Sequence, residues 1–353
     1  MKGYKQILLL LFAFMYGCVE PIELNIIEEK RILVVEGFVS TGPGPHRIKL
    51  TKSAKYGDIF SGFIKDEVGA DVWIRSNDGN VTILTEENPG AYITPLGWHA
   101  ELDKSYTLNI ITNTGTHYTS IPETVVPVSR IDSLILQYKK IPTVDPSTFI
   151  TGVEVFARFQ DPPDSKNFYT WRNNGTFLIE TRPELHTVRN VNNPGVPIPA
   201  PKDCCNVCWV NELNPDFSVK ILDDKNSNGN VNTVLAAFLT DNGLRFRTRY
   251  MIVIHQLSIS REAHAFFDLL NKQLSIEGDI FDPPPATIRG NMINLDQGEE
   301  NVIGYFYVSD VSIATVFISP SLLEDFQEAN PRVINDDCRV LPLSTVDRPD
   351  YWE

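Results

Sequence analysis

The sequence predicts a mainly β protein: an N-terminal immunoglobulin-like β-sandwich over residues 31–121, then a larger β-rich domain over 131–353 with one or two helices. Three observations predict it. Short apolar runs alternate with period two and are punctuated by turn formers. The chain holds 21 Gly and 24 Pro, which suits many short elements. Helical periodicity is convincing in only one place, near 261–275.

The first segment is of another kind. Lys2 and Lys5 precede an unbroken apolar run of ten, Ile7 to Tyr16. A helix needs about 20 apolar residues to span a bilayer, so this run predicts a signal-peptide core rather than an anchor. It stops at Gly17-Cys18, a small residue before Cys that resembles the bacterial lipobox, with Met15 and Tyr16 where Leu and a small residue are usual. Residues 1–17 then form a lipoprotein signal peptide, Cys18 carries the lipid, and 18–30 form a polar tether. An ordinary secretory signal with an incidental Cys is the alternative. No other stretch of the sequence approaches the length of a membrane span.

Strand signals fill 31–121. Ile32–Val39 is mostly apolar and ends at Thr41-Gly42-Pro43-Gly44-Pro45. Arg47–Thr51 alternates. Ala70–Arg75 and Val81–Thr85 flank Asn77-Asp78-Gly79-Asn80, a hairpin signal. Tyr106–Ile110 alternates again, and His117–Ile121 follows the Asn113-Thr114-Gly115 turn. Pro122 and Pro127 mark 122–130 as a linker. Beyond it, Val153, Val155, Ala157 and Phe159 alternate with polar residues, and Phe168–Trp171 and Phe177–Glu180 predict a second hairpin around Asn173-Asn174-Gly175. Residues 190–203 read as a Pro- and Asn-rich loop, and Leu244–Ile259 is the longest β pattern. In the helix, Ser260 is placed to cap, Glu262 suits the first turn, and Ala263, Phe266, Phe267, Leu270 and Leu274 make one apolar stripe. Pro320–Ala329 is a candidate for a second, shorter helix.

Besides Cys18 there are Cys204, Cys205, Cys208 and Cys338. An even set in an exported chain predicts disulfides. A Cys204–Cys205 bridge would join neighbours at a cost in strain, so the favoured pairing is one local bridge ending at Cys208 and one long bridge to Cys338. The alternative is zinc, because Cys205-x2-Cys208 has knuckle spacing, although Cys338 stands alone.

There are 31 Lys and Arg against 45 Asp and Glu, a net charge of −14. That balance excludes the basic faces that nucleic acid and anionic lipid select. The six His form no H-E-x-x-H or close pair, and no nucleophile elbow, P-loop or dinucleotide motif occurs. Asp224-Lys225-Asn226-Ser227-Asn228-Gly229 matches the first half of a calcium loop, but Leu235 stands where an EF-hand needs Glu. We read it as a polar hairpin loop, with an irregular calcium site as the alternative. Arg245, Arg247 and Arg249 would share one strand face, read as a solvent face paired with acids or, alternatively, as an anion-docking strip. Trp73, Trp98, Trp171, Trp209 and Trp352 are read as core and rim packing rather than a sugar platform. No catalytic residue, cofactor or metal ligand is predicted.

Some runs are distinctive: Glu277–Pro285, Ile288-Arg289-Gly290-Asn291-Met292-Ile293-Asn294, Gly304-Tyr305-Phe306, Ser260–Ala263, Cys208-Trp209, and the Asp337-Cys338 and Arg348–Trp352 ending. Together they resemble the family catalogued as domain of unknown function 4249, found in outer-membrane lipoproteins of Bacteroidota, from about residue 25 to the C-terminus. The resemblance implies an exported lipoprotein, often encoded near TonB-dependent receptors, and supplies no catalytic residues. Physically, Gly278 and Gly290 mark tight backbone positions and Pro283-Pro284-Pro285 a stiff extended link. The expectation is a non-enzymatic envelope protein, lipid-anchored at the outer membrane and facing the periplasm or the cell surface. It would bind a ligand or assist a TonB-dependent transporter. Its expected partners are the membrane, through the lipid, and a TonB-dependent receptor, with no nucleic acid. The rival readings are a structural or adhesive surface protein and an envelope hydrolase.

Overall fold

Alternating runs become strands where one face has a core to bury. The computed structural model describes residues 31–53, 65–145, 147–213, 219–276, 288–296, 302–323 and 334–352. The signal peptide, Cys18, the tether and the Glu277–Pro285 run lie outside the described residues. The described chain is mainly β. Its N-terminal part forms β1 (Leu33–Ser40), β2 (Arg47–Lys52), β3 (Lys65–Asp66), β4 (Asp71–Ser76), β5 (Val81–Ile83), β6 (Thr85–Asn88), β7 (Ala91–Ile93), β8 (Ser105–Ile111), β9 (His117–Ser120) and β10 (Glu123–Thr124). Next come β11 (Ile131–Pro142), β12 (Phe149–Gln160), β13 (Phe168–Glu180), the short β14 (Thr187–Val188) and β15 (Ile198–Pro199), β16 (Val207–Leu213), β17 (Lys220–Asp223), β18 (Val231–Thr240) and β19 (Tyr250–Ser258). Helix α1 (Arg261–Leu274) precedes β20 (Met292–Asn294), β21 (Ile303–Ser309), β22 (Val311–Ile318) and β23 (Ser344–Thr345).

Two six-stranded sheets make the first sandwich. One runs β21-β1-β2-β7-β6 with β3 beside β2, and the other β20-β9-β8-β4-β5 with β10 beside β8. Val35 of β1, Leu50 of β2, Ile74 of β4 and Leu108 of β8 meet in one core. Burying each such side chain contributes about 1.5–3 kcal/mol. The strand pairing does not follow the expected boundaries of 31–121 and 131–353. β21 pairs in parallel with β1, from Val34 opposite Ile303 to Ser40 opposite Ser309. β20 pairs with β9, and Phe306 and Val308 enter the first core. The expected linker also begins inside the sandwich, because β10 pairs with β8 and Val125 is buried. Alternation reports a strand and its buried face; it carries no information on which distant strand lies alongside.

The second half packs the sheet β11-β12-β18 on the sheet β22-β19-β13-β16-β23, with β17 beside β13. Val153, Val155, Ala157 and Phe159 of β12 are buried against β13 and β19 residues such as Trp171 and Ile254. Two expectations fail here. Asn173-Asn174-Gly175 is not a turn: β13 is one strand of 13 residues that pairs with β19 on one side and with β16 and β17 on the other. Gly175 leaves the space that the Tyr250 ring occupies, so its small size serves packing rather than reversal. The Leu244–Ile259 run is a strand only from Tyr250 onward. Asn242 Oδ1 accepts the N–H groups of Leu244 and Arg245, each at 3.0 Å, and this local turn outcompetes the ladder.

Helix α1 begins as expected, with the Ser260 hydroxyl accepting Ala263 N–H at 3.1 Å. Ala263 and Phe267 pack on Tyr305 and Tyr307 of β21 and on Phe168 of β13. Both faces of β21 are therefore covered, one by the sandwich and one by the helix. Of the expected second helix, Pro320–Leu322 forms a single 3-10 turn and 324–329 lies outside the described residues.

This double burial is measurable. Phe306→Ala should lower the unfolding free energy by about 3–5 kcal/mol in urea titration. Ile313→Ala on β22, 48% exposed, should change it by no more than about 0.5 kcal/mol.

Candidate functional site

The predicted cysteines converge in the second half. Cys208 and Cys338 are bonded, with Cα atoms 5.7 Å apart across a separation of 130 residues. Both are fully buried in the second core. Cys204 and Cys205 are bonded to each other, which corrects the expected local bridge ending at Cys208. The reason lies in β16. Its alternation turns Cys208 and Val210 inward, so the partner of Cys208 must come from the core side. The 3-10 turn at Cys338–Val340 supplies it, and Cys338 N–H donates to Cys205 O at 2.9 Å. With each of these sulfurs in a disulfide, Cys205-x2-Cys208 is not a zinc knuckle.

The arginine triplet is not a strand face, because 244–249 turns. Arg245 Nε donates to both carboxylate oxygens of Glu212, at 2.7 and 3.0 Å, and Tyr250 OH donates to the same carboxylate at 2.9 Å. The Arg249 guanidinium lies 5.1 Å from the Phe317 ring and 6.0 Å from the Trp352 ring. Arg245 and Arg249 thus brace the fold. Trp171 is core, donating from Nε1 to Gln256 Oε1 at 3.0 Å, and Trp352 is buried.

An open polar feature lies on the first sandwich. A cleft of about 240 Å³ opens between the β4–β5 hairpin and the segment before β8. Trp98, His99, Glu101, Lys104 and Tyr106 line it, with Asn80 opposite. The aromatic groups support one another edge to face, His46 to Trp98 at 5.7 Å and Trp98 to Tyr106 at 6.0 Å. Tyr106 oxygen accepts Glu101 N–H at 2.9 Å. Lys104 bridges Glu101 at 2.8 Å and Asp78 at 2.9 Å. The Ser76 hydroxyl and then Lys104 hold the Asp78 carboxyl well below the usual range, and Glu101 and Asp78 hold the Lys104 ammonium well above it. Burial lowers His46 from 6.5, so the imidazole behind Trp98 is neutral at pH 7. A fixed charge pair, a phenol, an imidazole and a half-buried indole thus line one open polar cleft. Sequence reasoning missed this cleft. Its residues come from separate elements, and the only local cue is Trp98-His99 after the Pro95-Leu96-Gly97 turn.

A second polar cluster is structural. Buried Glu123 accepts from Tyr305 OH at 2.6 Å and from Asn291 Nδ2 at 3.4 Å. Asn291 accepts Phe306 N–H at 2.9 Å and donates to Phe306 O at 2.7 Å. Burial pushes the Glu123 carboxyl above its ordinary value, against the pull of the Tyr305 hydroxyl. Burial, and then the Glu123 charge, push the Tyr305 phenol up. The distinctive Gly-Asn and Gly-Tyr-Phe runs meet at this point. A Cβ on Gly290 would overlap the Gly304 backbone, and Gly304, at φ +98°, lies against the Val35 backbone.

The chain belongs to the family described as Domain of unknown function (DUF4249), whose profile matches residues 19–314. No curated protein matches it.

Two measurements test these clusters. Cys338→Ser should cost about 2–5 kcal/mol of stability without reductant, and non-reducing peptide mapping of the native protein should recover the Cys208–Cys338 link. Glu123 holds its proton more tightly folded than unfolded. Its contribution is therefore full below the ordinary value of 4.5 and is lost as pH rises through the raised one. Glu123→Gln keeps an acceptor for Tyr305 and should flatten that fall in urea midpoint; equal pH slopes in both proteins would rule Glu123 out.

Proposed function

We propose that this member of the family is a non-enzymatic, lipid-anchored envelope protein that works beside a TonB-dependent outer-membrane transporter and presents its sandwich cleft to a small polar ligand. The setting is the outer membrane of a Bacteroidota cell. The observation that carries this reading is the N-terminus, where a basic start and ten apolar residues lead to Gly17-Cys18. Attached acyl chains contribute about 0.8 kcal/mol per buried methylene, and two or more hold a folded body firmly. No helix among the described residues is long and apolar enough to cross a membrane. The disulfides of the second half suit an oxidising compartment. The net charge of −14 disfavours a purely electrostatic hold on anionic lipid, which leaves attachment to the acyl chains. The cleft supports the ligand-binding part: Lys104 is held in place by Glu101 and Asp78, and the cleft is open to solvent.

The test is fractionation followed by pull-down from detergent-solubilised outer membranes. Wild-type protein should sediment with membranes, carry acyl mass on Cys18 and recover a TonB-dependent receptor. Cys18→Ser should be soluble or retain its signal peptide. A processed Cys18→Ser protein that stays on membranes refutes the anchor. A pull-down without any transporter refutes the partnership and favours a structural or adhesive role.

A further inference from the structure

The half calcium motif lies in the loop from β17 to β18, which connects two different sheets and is therefore not a hairpin. Asp224–Asn226 form a 3-10 turn, and Gly229, at φ +73°, reverses the chain. The loop then closes on the end of β12. Gly229 N–H donates to Asp161 Oδ2 at 3.2 Å, and Asp161 N–H donates to Asn230 O at 3.0 Å.

Two buried carboxylates meet here. Asp161 is 0% and Asp224 1% exposed. Asn167 spans them, its N–H donating to Asp224 Oδ2 at 2.7 Å and its Nδ2 to Asp161 Oδ1 at 3.5 Å. Tyr169 OH also donates to Asp161 Oδ1, at 2.6 Å. Lys166 stands nearby, yet its ion pair is with Asp223, at 3.5 Å. Asp224 Oδ1 is buried with no hydrogen-bond partner among the described residues. A buried carboxylate oxygen is costly unless something positive or a donor meets it.

Oxygens are the ligands that a hard cation prefers. Calcium takes 6–8 of them from carboxylates, amides, carbonyls and water. Asp224, Asn226 and Asn228 stand at positions 1, 3 and 5 of the loop motif and Gly229 at position 6, with Asn226 and Asn228 exposed at the rim. Leu235 cannot supply the carboxylate that an EF-hand takes from position 12. Asp161, just past the end of β12, supplies a second carboxylate beside the loop. We propose that Asp161 and Asp224, with amide and carbonyl oxygens of residues 226–230 and water, form a calcium site that staples the β17–β18 loop to the end of β12. Two carboxylates put its affinity in the range of extracellular modules, a Kd of about 10⁻⁴–10⁻³ M.

The experiment uses the full chain in detergent after chelator treatment. Titration calorimetry with calcium chloride should give one site per chain and a raised Tm, and magnesium chloride a weaker response. Asp224→Asn keeps the shape and removes the charge. It should fold, lose the calcium heat and lose the Tm shift, whereas Asp347→Asn on the surface should keep both. Terbium gives a readout independent of any variant: Tyr169, bonded to Asp161, should sensitise its luminescence, and calcium should quench it. The proposal fails if wild-type protein gives neither calcium heat nor displaceable terbium luminescence, or if Asp224→Asn binds calcium as wild type does. It also fails if Asp224→Asn simply raises stability while calcium leaves wild type unchanged, the signature of a buried protonated acid.

Discussion

One strand, β21, holds the molecule together. It lies at the edge of the first sandwich, parallel to β1, and continues through Asp310 into β22 of the second half. Its alternate residues serve two different cores: Phe306 and Val308 the sandwich, Tyr305 and Tyr307 the helix. Gly37 on β1 makes the approach possible, because a Cβ there would come within 2.8 Å of the Phe306 ring. At the corner, Asp310 accepts from Thr41 Oγ1 at 2.5 Å and from Val128 N–H at 2.9 Å. One carboxylate thereby ties the end of β1, the strand that leaves the sandwich and the chain that enters the second half. Loop-closure entropy grows only slowly with length, so a return over so many residues is affordable once several large side chains are buried by it.

The two halves are therefore coupled through specific contacts. Arg172 of β13 donates to Tyr307 OH at 2.9 Å, and its guanidinium lies 4.7 Å from the Phe38 ring of β1. Ser258 of β19 donates to Val126 O. Such contacts fix how the sandwich, with its cleft, stands on the disulfide-bonded half.

What the sequence revealed follows from the range of each signal. Period-two runs located β2, β8 and β12, because a buried face repeats every second residue, and apolar runs bounded by turn formers located β1, β4, β5 and β9. The α1 stripe and the Ser260 cap were equally local and equally legible. The errors came where tertiary neighbours override local chemistry. Asn173-Asn174-Gly175 has turn composition, yet strands on both sides saturate its backbone and Tyr250 needs the gap at Gly175. Arg245–Arg249 alternates like a strand, yet Asn242 captures the backbone before it. The return of β20 and β21 was invisible as pairing, although Gly290 stood out as a tight backbone position. The cleft was illegible because no single segment contains it.

The Asp224 loop combines both cases. Its spacing is local, so half a motif could be read, and Leu235 then argued against the rest. The missing carboxylate is Asp161, 68 residues from Gly229 in sequence and joined to its N–H in space. A partial motif is weak evidence while its missing ligand is sought only downstream. A β fold relaxes that condition, because strand pairing brings side chains from any distance to one loop. The stronger guide is then an acid whose burial no local partner explains, and Asp224 Oδ1 is such a group. The acidic excess of this chain sharpens the point. Glu212 is offset by Arg245, whereas Asp161 and Asp224 lie together with Asp224 Oδ1 buried and without a hydrogen-bond partner among the described residues, a place where added positive charge would be favourable.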